Sequence, residues 1–541
     1  MVNTIPKTPR KRFFNRPILA VAAVIACTLL GWLGYYAYLD WADARALNEY
    51  LIQLEKREPN WRERVYGEPP TVETLQSIKQ LVDLNKLITA DMDTRSIDRG
   101  VYFSGLVQDW NHPASLFTAE QEQFLQWVTT HYQQVLEKTN LVEKDNIIPY
   151  YYDVSLSNEK RIEGAYRLIS DTYDIHEILE VQFFHALQQN DSKQAVTYLV
   201  RLLKERRRKG RPEQTYMVNY YPSLVERLLN LTEPDDVSLL QLHAALQQYI
   251  DESRKQFLLI GARFRMMTKY VEEMSQADLT QRQLLQGNYD WLVPKESILR
   301  QAWLKSVFPW YANIRLKTIY RRTAYLTLKL HQLADQIESL ALLPESERWP
   351  VWVQYSRLHQ LPLNTVEFFK NIPPDPAILP EGLPHVVNPL TVSQAFEKLA
   401  KHRVALAIVL AERYRRAHGK LPVSWNDLVP EFIPGPLLDI FTGQPLIIKK
   451  IDDGILIYSL GPEEKDHLGS KLNSGDYWYL GSRESRSLSG NYGLRLHELD
   501  KRRLPPITLK QDAIDELNKW KAYEAAKKQK QNEKPATPSS P

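Results

Sequence analysis

A single cysteine, Cys27, serves all 541 residues. That excludes a disulfide-built scaffold and a zinc site made of thiolates. Linear catalytic signatures are missing as well. The chain has no Gly-x-Ser-x-Gly elbow, no Walker loop, no Gly-x-Gly-x-x-Gly opening a helix and no His-Glu-x-x-His. An acidic pair for glycoside chemistry stays open, because two carboxylates that meet only in the fold leave no linear pattern. A broad basic surface is also absent. The formal charge is +4, but Lys7, Arg10, Lys11, Arg12 and Arg16 fall within residues 1–17, which hold no acidic residue. The remainder carries 64 basic against 65 acidic residues. Nucleic acid is therefore not an expected partner. With 43% hydrophobic and 25% charged residues, the chain reads as folded rather than mostly disordered. Its length suggests three or four domains of about 150 residues.

One long uncharged run exists. Ile18 to Leu39 spans 22 residues without a charged side chain. As a helix it would reach about 33 Å, enough for a hydrocarbon core of roughly 30 Å. Aromatic residues gather at its far end, including Trp32, Tyr35, Tyr36, Tyr38 and Trp41. The run predicts a transmembrane signal-anchor helix over 18–39, with Ile18, Leu30, Trp32 and Leu39 in the bilayer. The five cations of 1–17 would hold the N-terminus in the cytoplasm. The bulk would then be periplasmic, anchored single-pass in a cell inner membrane. A cleaved signal peptide, with Ala42-Asp43-Ala44 as its small-residue site, is the competing reading.

After this run the chain reads as helix upon helix. Residues 44–342 carry apolar positions at three-to-four spacing, and Thr118 with Gln121 forms a capping-box pattern before Phe124 and Val128. An all-α array is expected there. Residues 343–390 hold nine prolines and predict an extended connecting segment in which Trp349, Trp352 and Tyr355 pack back on the helices. A second domain, 391–500, begins with a capping box at Thr391 and Gln394. Its long helix should stop at His418 with Gly419 as the C′ residue. The face Phe396, Leu399, Leu406, Leu410 and Tyr414 is suited to covering a small sheet. Val404 to Ala411 reads as a buried helix face. Strand patterns at Pro445–Ile451 and Ile455–Ser459 flank Asp452-Asp453-Gly454, a hairpin signal, and Tyr477–Leu480 is a candidate third strand. Residues 505–541 read as a charged helix with a Pro/Ser tail. The expected fold class is thus mainly α: a single transmembrane helix, a helical array and a small α+β module.

Several residues in this second domain follow a known pattern. They are Tyr414-Arg415, His418-Gly419, Leu421-Pro422, Ser424 to Pro430, Asp439, Gly443, Pro445-Leu446 and Tyr458-Ser459-Leu460-Gly461. An acidic loop, Glu463 to Gly469, and Asp476 complete it. In this order and spacing, residues from about 391 to 480 resemble the globular domain of type II secretion major pseudopilins. The rest of the chain resembles no such family. The resemblance implies a long helix packed on an antiparallel sheet. It also implies calcium held by Asp466, Asp476 and carbonyls near Leu460. Read without the resemblance, the same loop is a solvated acidic turn in which Lys465 and Lys471 dilute the charge. Two features depart from the pattern. The uncharged run lacks the family's processing site and glutamate, and Ile440 stands where the family has proline.

Other clusters are less specific. Asp171, Asp174, Glu177 and Glu180, with His176 and His185, read as a solvated acidic stripe rather than a metal site. Lys204 to Arg211 is the densest basic run and reads as an exposed helix end. These readings combine into an inner-membrane-anchored envelope protein that binds or assembles, as an accessory of a secretion or pilus-type system. Its expected partners are the lipid bilayer, through 18–39, and an envelope protein. The alternative is an anchored cell-wall hydrolase with a carboxylate pair in the helical region. No cofactor other than calcium is suggested.

Overall fold

The computed structural model describes residues 15–59, 61, 114–131, 173–208, 221–276, 323–358, 390–462, 464, 466 and 492–506, with isolated helical positions between 514 and 529. These residues are mainly helical. The helices are α1 (Asn15–Arg57), α2 (Ala119–His131), α3 (Tyr173–Gln188), α4 (Ser192–Arg208), α5 (Tyr221–Leu231), α6 (Asp236–Asp251), α7 (Ser253–Gln276) and α8 (Thr323–Leu340). They continue with α9 (Glu345–Leu358), α10 (Leu390–His418) and the single turn α11 (Trp425–Leu428). A three-stranded antiparallel sheet, ordered β1 (Ile447–Ile451), β2 (Gly454–Ser459), β3 (Tyr492–His497), completes the set.

The membrane reading is corrected. Among the described residues no helix is long and apolar enough to cross a membrane. The uncharged run is not an element of its own. It is the first half of α1, 43 residues long, whose second half carries Asp40, Asp43, Arg45, Glu49, Glu55, Lys56 and Arg57. Thr28, Gly31 and Gly34 dilute the run, and no break separates it from the charged half. Leu30 is exposed and Leu39 half-buried. The side chains of Ile18 and Trp32, and the five cations Lys7 to Arg16 apart from the backbone of Arg16, lie outside the described residues. With the span go the transmembrane fold class, the signal anchor, the bilayer as partner, the inner-membrane localisation and the periplasmic assignment of the bulk. The anchored secretion-accessory function and the anchored hydrolase lose their common premise.

The chain divides into two compact units. The first comprises 1–61, 264–333 and 377–381. Its described core mixes Leu54, Leu328, Leu333 and Phe264 with buried polar groups. Arg265, fully buried, donates from Nη1 to Tyr50 Oη at 3.2 Å. The His331 ring lies 5.4 Å from the rings of both Tyr50 and Trp61, edge-on to the latter. Trp61 Nε1 donates to Glu55 at 2.9 Å.

The second unit comprises 62–263, 334–376 and 382–541, and so joins most of the helical array to the α+β module. At its centre is α10. Every residue from Val404 to Ala411 is buried, as the apolar run predicts. One side of α10 packs on α5 and α6, the other on β2 and β3. Phe396, Leu399, Leu406, Leu410 and Tyr414 are all buried. The helix begins at Leu390, one residue before the predicted cap, and stops at Gly419, whose φ of 74° is the left-handed conformation a C′ glycine supplies. The capping box at Thr118 and Gln121 forms in both directions, at 2.9 and 3.3 Å.

Two sequence expectations shift here. Residues 345–358 are helical despite Pro350, which forgoes one intrahelical hydrogen bond, because the helix is pinned on both sides of it. Trp349 meets Phe396 and Phe441 edge-on at 5.2 and 4.8 Å, and Trp352 Nε1 donates to Ser393 at 3.2 Å. The second shift concerns the third strand. It is Tyr492–His497; Tyr477–Leu480 lies outside the described residues.

A candidate protein interface at the edge of the sheet

The hairpin fixes which backbone groups face outward. The two-residue loop Asp452-Asp453 closes on the pair Ile451 and Gly454. In such a hairpin the closing pair exchanges hydrogen bonds, and the bonded pairs then alternate. Ile447, Lys449 and Ile451 therefore point their N–H and C=O groups at β2. Ile448 and Lys450 point theirs away. The same alternation carried across the sheet turns Gly493, Arg495 and His497 outward on β3.

The two outer edges are treated differently. On β3 the helix α5 supplies a substitute strand made of side chains. Arg495 N–H donates to Glu226 Oε1 at 2.7 Å, Asn230 Nδ2 donates to the Arg495 carbonyl at 2.9 Å, and His497 N–H donates to Asn230 Oδ1 at 2.9 Å. Arg502 Nε donates to the His497 carbonyl at 2.8 Å. This edge is closed. On the β1 side the closure stops early. Leu446 N–H donates to the Leu437 carbonyl at 2.9 Å, and Trp425 Nε1 donates to the Leu446 carbonyl at 2.6 Å. Beyond Leu446 the outward groups of Ile448 and Lys450 have no partner among the described residues. An uncovered strand edge is a template for another strand. Lys450, exposed on this strand, biases that template toward an acidic partner.

The closed side is held by buried charge. Glu412 on α10 is fully buried between Arg415 and Arg502. Burial alone would raise its pKa, but the hydrogen bonds and charges of the two arginines prevail and hold it below the ordinary glutamate value. Arg502 also donates to the Leu229 carbonyl at 2.8 Å. Arg503, with a φ of 54°, caps two helices at once by donating to carbonyls at the ends of α3 and α5, Gln188 and Leu231. Glu226 sits deep enough that burial pushes its pKa up to about 7, against the hydrogen bond from Arg495.

The motif segment before β1 is organised around Asp439. It is buried, and its carboxylate accepts from Phe441 N–H at 3.1 Å, Ser459 Oγ at 2.9 Å and Leu460 N–H at 2.8 Å. Burial raises its pKa despite these bonds. Gly443 and Gly461 take φ values of 69° and 70°. Of the residues suggested for calcium, Asp466 accepts from Tyr458 Oη at 3.1 Å, Leu460 gives its N–H to Asp439, and Asp476 lies outside the described residues. Most of the acidic loop that would supply calcium with its six to eight oxygens also lies outside the described residues. Among the described residues no group of three or more His, Cys, Asp or Glu is placed to hold a metal. In the acidic stripe, Glu180 is half-buried and His185 is pushed below its ordinary pKa by burial; the side chains of Asp174, His176 and Glu177, and Asp171 itself, lie outside the described residues. So do the side chains of the basic run from Lys204 onward.

Sequence reasoning missed Glu226, Asn230, Arg502 and Arg503. Each acts on a backbone far away in the chain, and no local pattern marks such a residue. The chain matches no protein-family model, no curated protein and no solved structure.

Proposed function

We propose that this chain is a protein-binding protein that accepts an extended, acidic segment of a partner as a fourth strand beside β1. One observation carries this reading: α5 closes the β3 edge with side chains, whereas among the described residues closure of the β1 edge ends at Leu446. A strand laid antiparallel or parallel there can exchange bonds with the N–H and C=O of Ile448 and Lys450. At about 1 kcal/mol net for each such bond, four bonds contribute roughly 4 kcal/mol before ordering costs. The backbone alone thus gives weak binding, and side-chain pairing with Lys450 supplies selectivity.

The module that presents this edge is of pseudopilin type in this proposal. Support comes from the helix stop at His418-Gly419, the turn held by Asp439, the left-handed Gly443 and Gly461, and the helix-on-sheet packing. The buried apolar positions of α10 are an independent physical reason for that packing.

The test uses a photo-crosslinking residue at position 448 in the full chain, with and without Lys450→Pro. Proline removes one outward N–H without touching the β2 ladder. The proposal expects capture of an acidic, extended partner segment that K450P strongly reduces. Capture unaffected by K450P, or mapped to a helical or basic segment, overturns it.

A further inference from the structure

A second surface lies where α9, α10 and the turn before β1 meet. Two buried arginines lie there, with a third charge acting on one of them. Arg348 on α9 is buried; its Nε donates to the Leu343 carbonyl at 3.1 Å. Arg403 on α10 is buried too; it donates from Nη1 to the Leu438 carbonyl and forms an ion pair through Nη2 with Glu345. Arg254 on α7 lies close enough for its charge to act on Arg348. Among the described residues the carboxylates near them are Glu345 and Asp439, and the oxygens of Asp439 are already committed to Phe441, Ser459 and Leu460.

This leaves positive charge and donors in excess. Arg348 Nη1 and Arg403 Nε are both buried with no hydrogen-bond partner. A buried donor left unmade costs about 1–3 kcal/mol, and native proteins leave few. Two in one cluster leave room for an acceptor that the described residues do not provide. The environment of Arg348 agrees: burial lowers its pKa most, Glu345 opposes this, and the charges of Arg403 and Arg254 lower it further. Glu345 stands at the opening of the cluster, its side chain 37% exposed. Its ion pair is with Arg403.

We propose that Arg348 and Arg403 form an oxyanion site in which Glu345 is a resident carboxylate, displaced when a phosphate-type anion binds. The guanidinium fork matches phosphate oxygens in pairs, and a phosphate offers more acceptors than the single carboxylate it replaces. The ligand class is thus inorganic phosphate or an accessible phosphate monoester. The site is distinct from the β1 edge and does not depend on it.

The experiment is a calorimetric and thermal-melting titration of the full chain with inorganic phosphate, against chloride at equal ionic strength. A ligand that binds only the folded state raises the melting temperature as its concentration rises. Wild type should respond in the millimolar range. Glu345→Gln removes the competing carboxylate and should bind about tenfold more tightly, the weight of a partly exposed ion pair. Arg348→Gln should lose the response. Arg348→Lys keeps the charge without the fork, tests the site should R348Q fail to fold, and should bind at least about tenfold more weakly. Acetate should shift the melting temperature less than phosphate. The proposal is overturned if neither wild type nor E345Q responds to phosphate at tens of millimolar, if R348K binds as wild type does, or if acetate acts as strongly as phosphate.

Discussion

Replacing Glu412 by glutamine removes the one charge that two buried guanidiniums share. Its Oε1 accepts from Arg415 Nη2 at 2.7 Å and Arg502 Nη1 at 3.2 Å; its Oε2 accepts from Arg415 Nε at 2.9 Å and Arg502 Nη2 at 2.8 Å. Glutamine keeps one acceptor and turns a donor toward the other pair of N–H groups. Breaking a buried ion pair by removing one partner costs about 3–5 kcal/mol. Arg415 keeps a second, exposed partner, Glu233, at 3.7 Å, so the expected loss sits near the lower figure, about 3 kcal/mol. The loss should be local first. Arg502 ties the His497 and Leu229 carbonyls together, so residues 492–504 should exchange amide hydrogens faster while α1 is unchanged. Urea unfolding followed by hydrogen exchange resolved by segment reads both effects, and it does not assume two-state behaviour in a chain of two units. The pH dependence has a definite sign. The pKa of Glu412 is below its ordinary 4.5, so the parent carries this stabilisation above that value and loses it as pH falls through the lower, folded-state pKa. The variant lacks that acid-sensitive step. Stability within about 1 kcal/mol of the parent, with unchanged exchange at 492–504, refutes the reasoning.

Two further outcomes follow from the same unit. Glu226 has the opposite sign: its folded pKa, about 7, lies above its ordinary 4.5, so its contribution is complete below 4.5 and is lost as pH rises to about 7. That difference corresponds to about 3 kcal/mol, and Glu226→Gln, which still accepts from Arg495 N–H, should flatten the stability–pH curve over this window and unfold at higher urea at pH 8. Gly454→Ala should destabilise the sheet by about 3 kcal/mol or more, since a Cβ there would lie 2.1 Å from the Leu496 carbonyl oxygen; a melting temperature equal to the parent's contradicts the observed β2–β3 approach.

How much of this was legible in the sequence depends on how local each cause is. Helix α10 was legible because its apolar period, its glycine stop and the buried run Val404–Ala411 all lie within one segment. The β1–β2 hairpin was legible for the same reason, through Asp452-Asp453-Gly454. Strand β3 was not. Tyr492-Gly-Leu-Arg-Leu-His is short and interrupted by glycine, and Glu226 and Asn230, which hold its edge, are more than 260 residues away. Helix α9 was obscured by its proline-rich surroundings, which outweighed the packing of Trp349 and Trp352. The membrane expectation failed for a related reason. It rested on 22 uncharged residues taken alone, whereas the element is a continuous 43-residue helix with a charged second half. The open edge could be suspected from an α+β pattern, but its position could not. It depends on where Leu437 and Trp425 stop covering β1, a tertiary detail.

Native-state hydrogen exchange at four amides tests the central claim most directly. Arg495 and His497 donate to Glu226 and Asn230 on the closed edge, and Ile448 and Lys450 face outward on the other. The account predicts slow exchange at the first pair and rapid exchange at the second in the isolated chain. Protection of Ile448 and Lys450 equal to that of Arg495 and His497 would mean that the β1 edge is already covered, and would contradict the proposed docking of a partner strand.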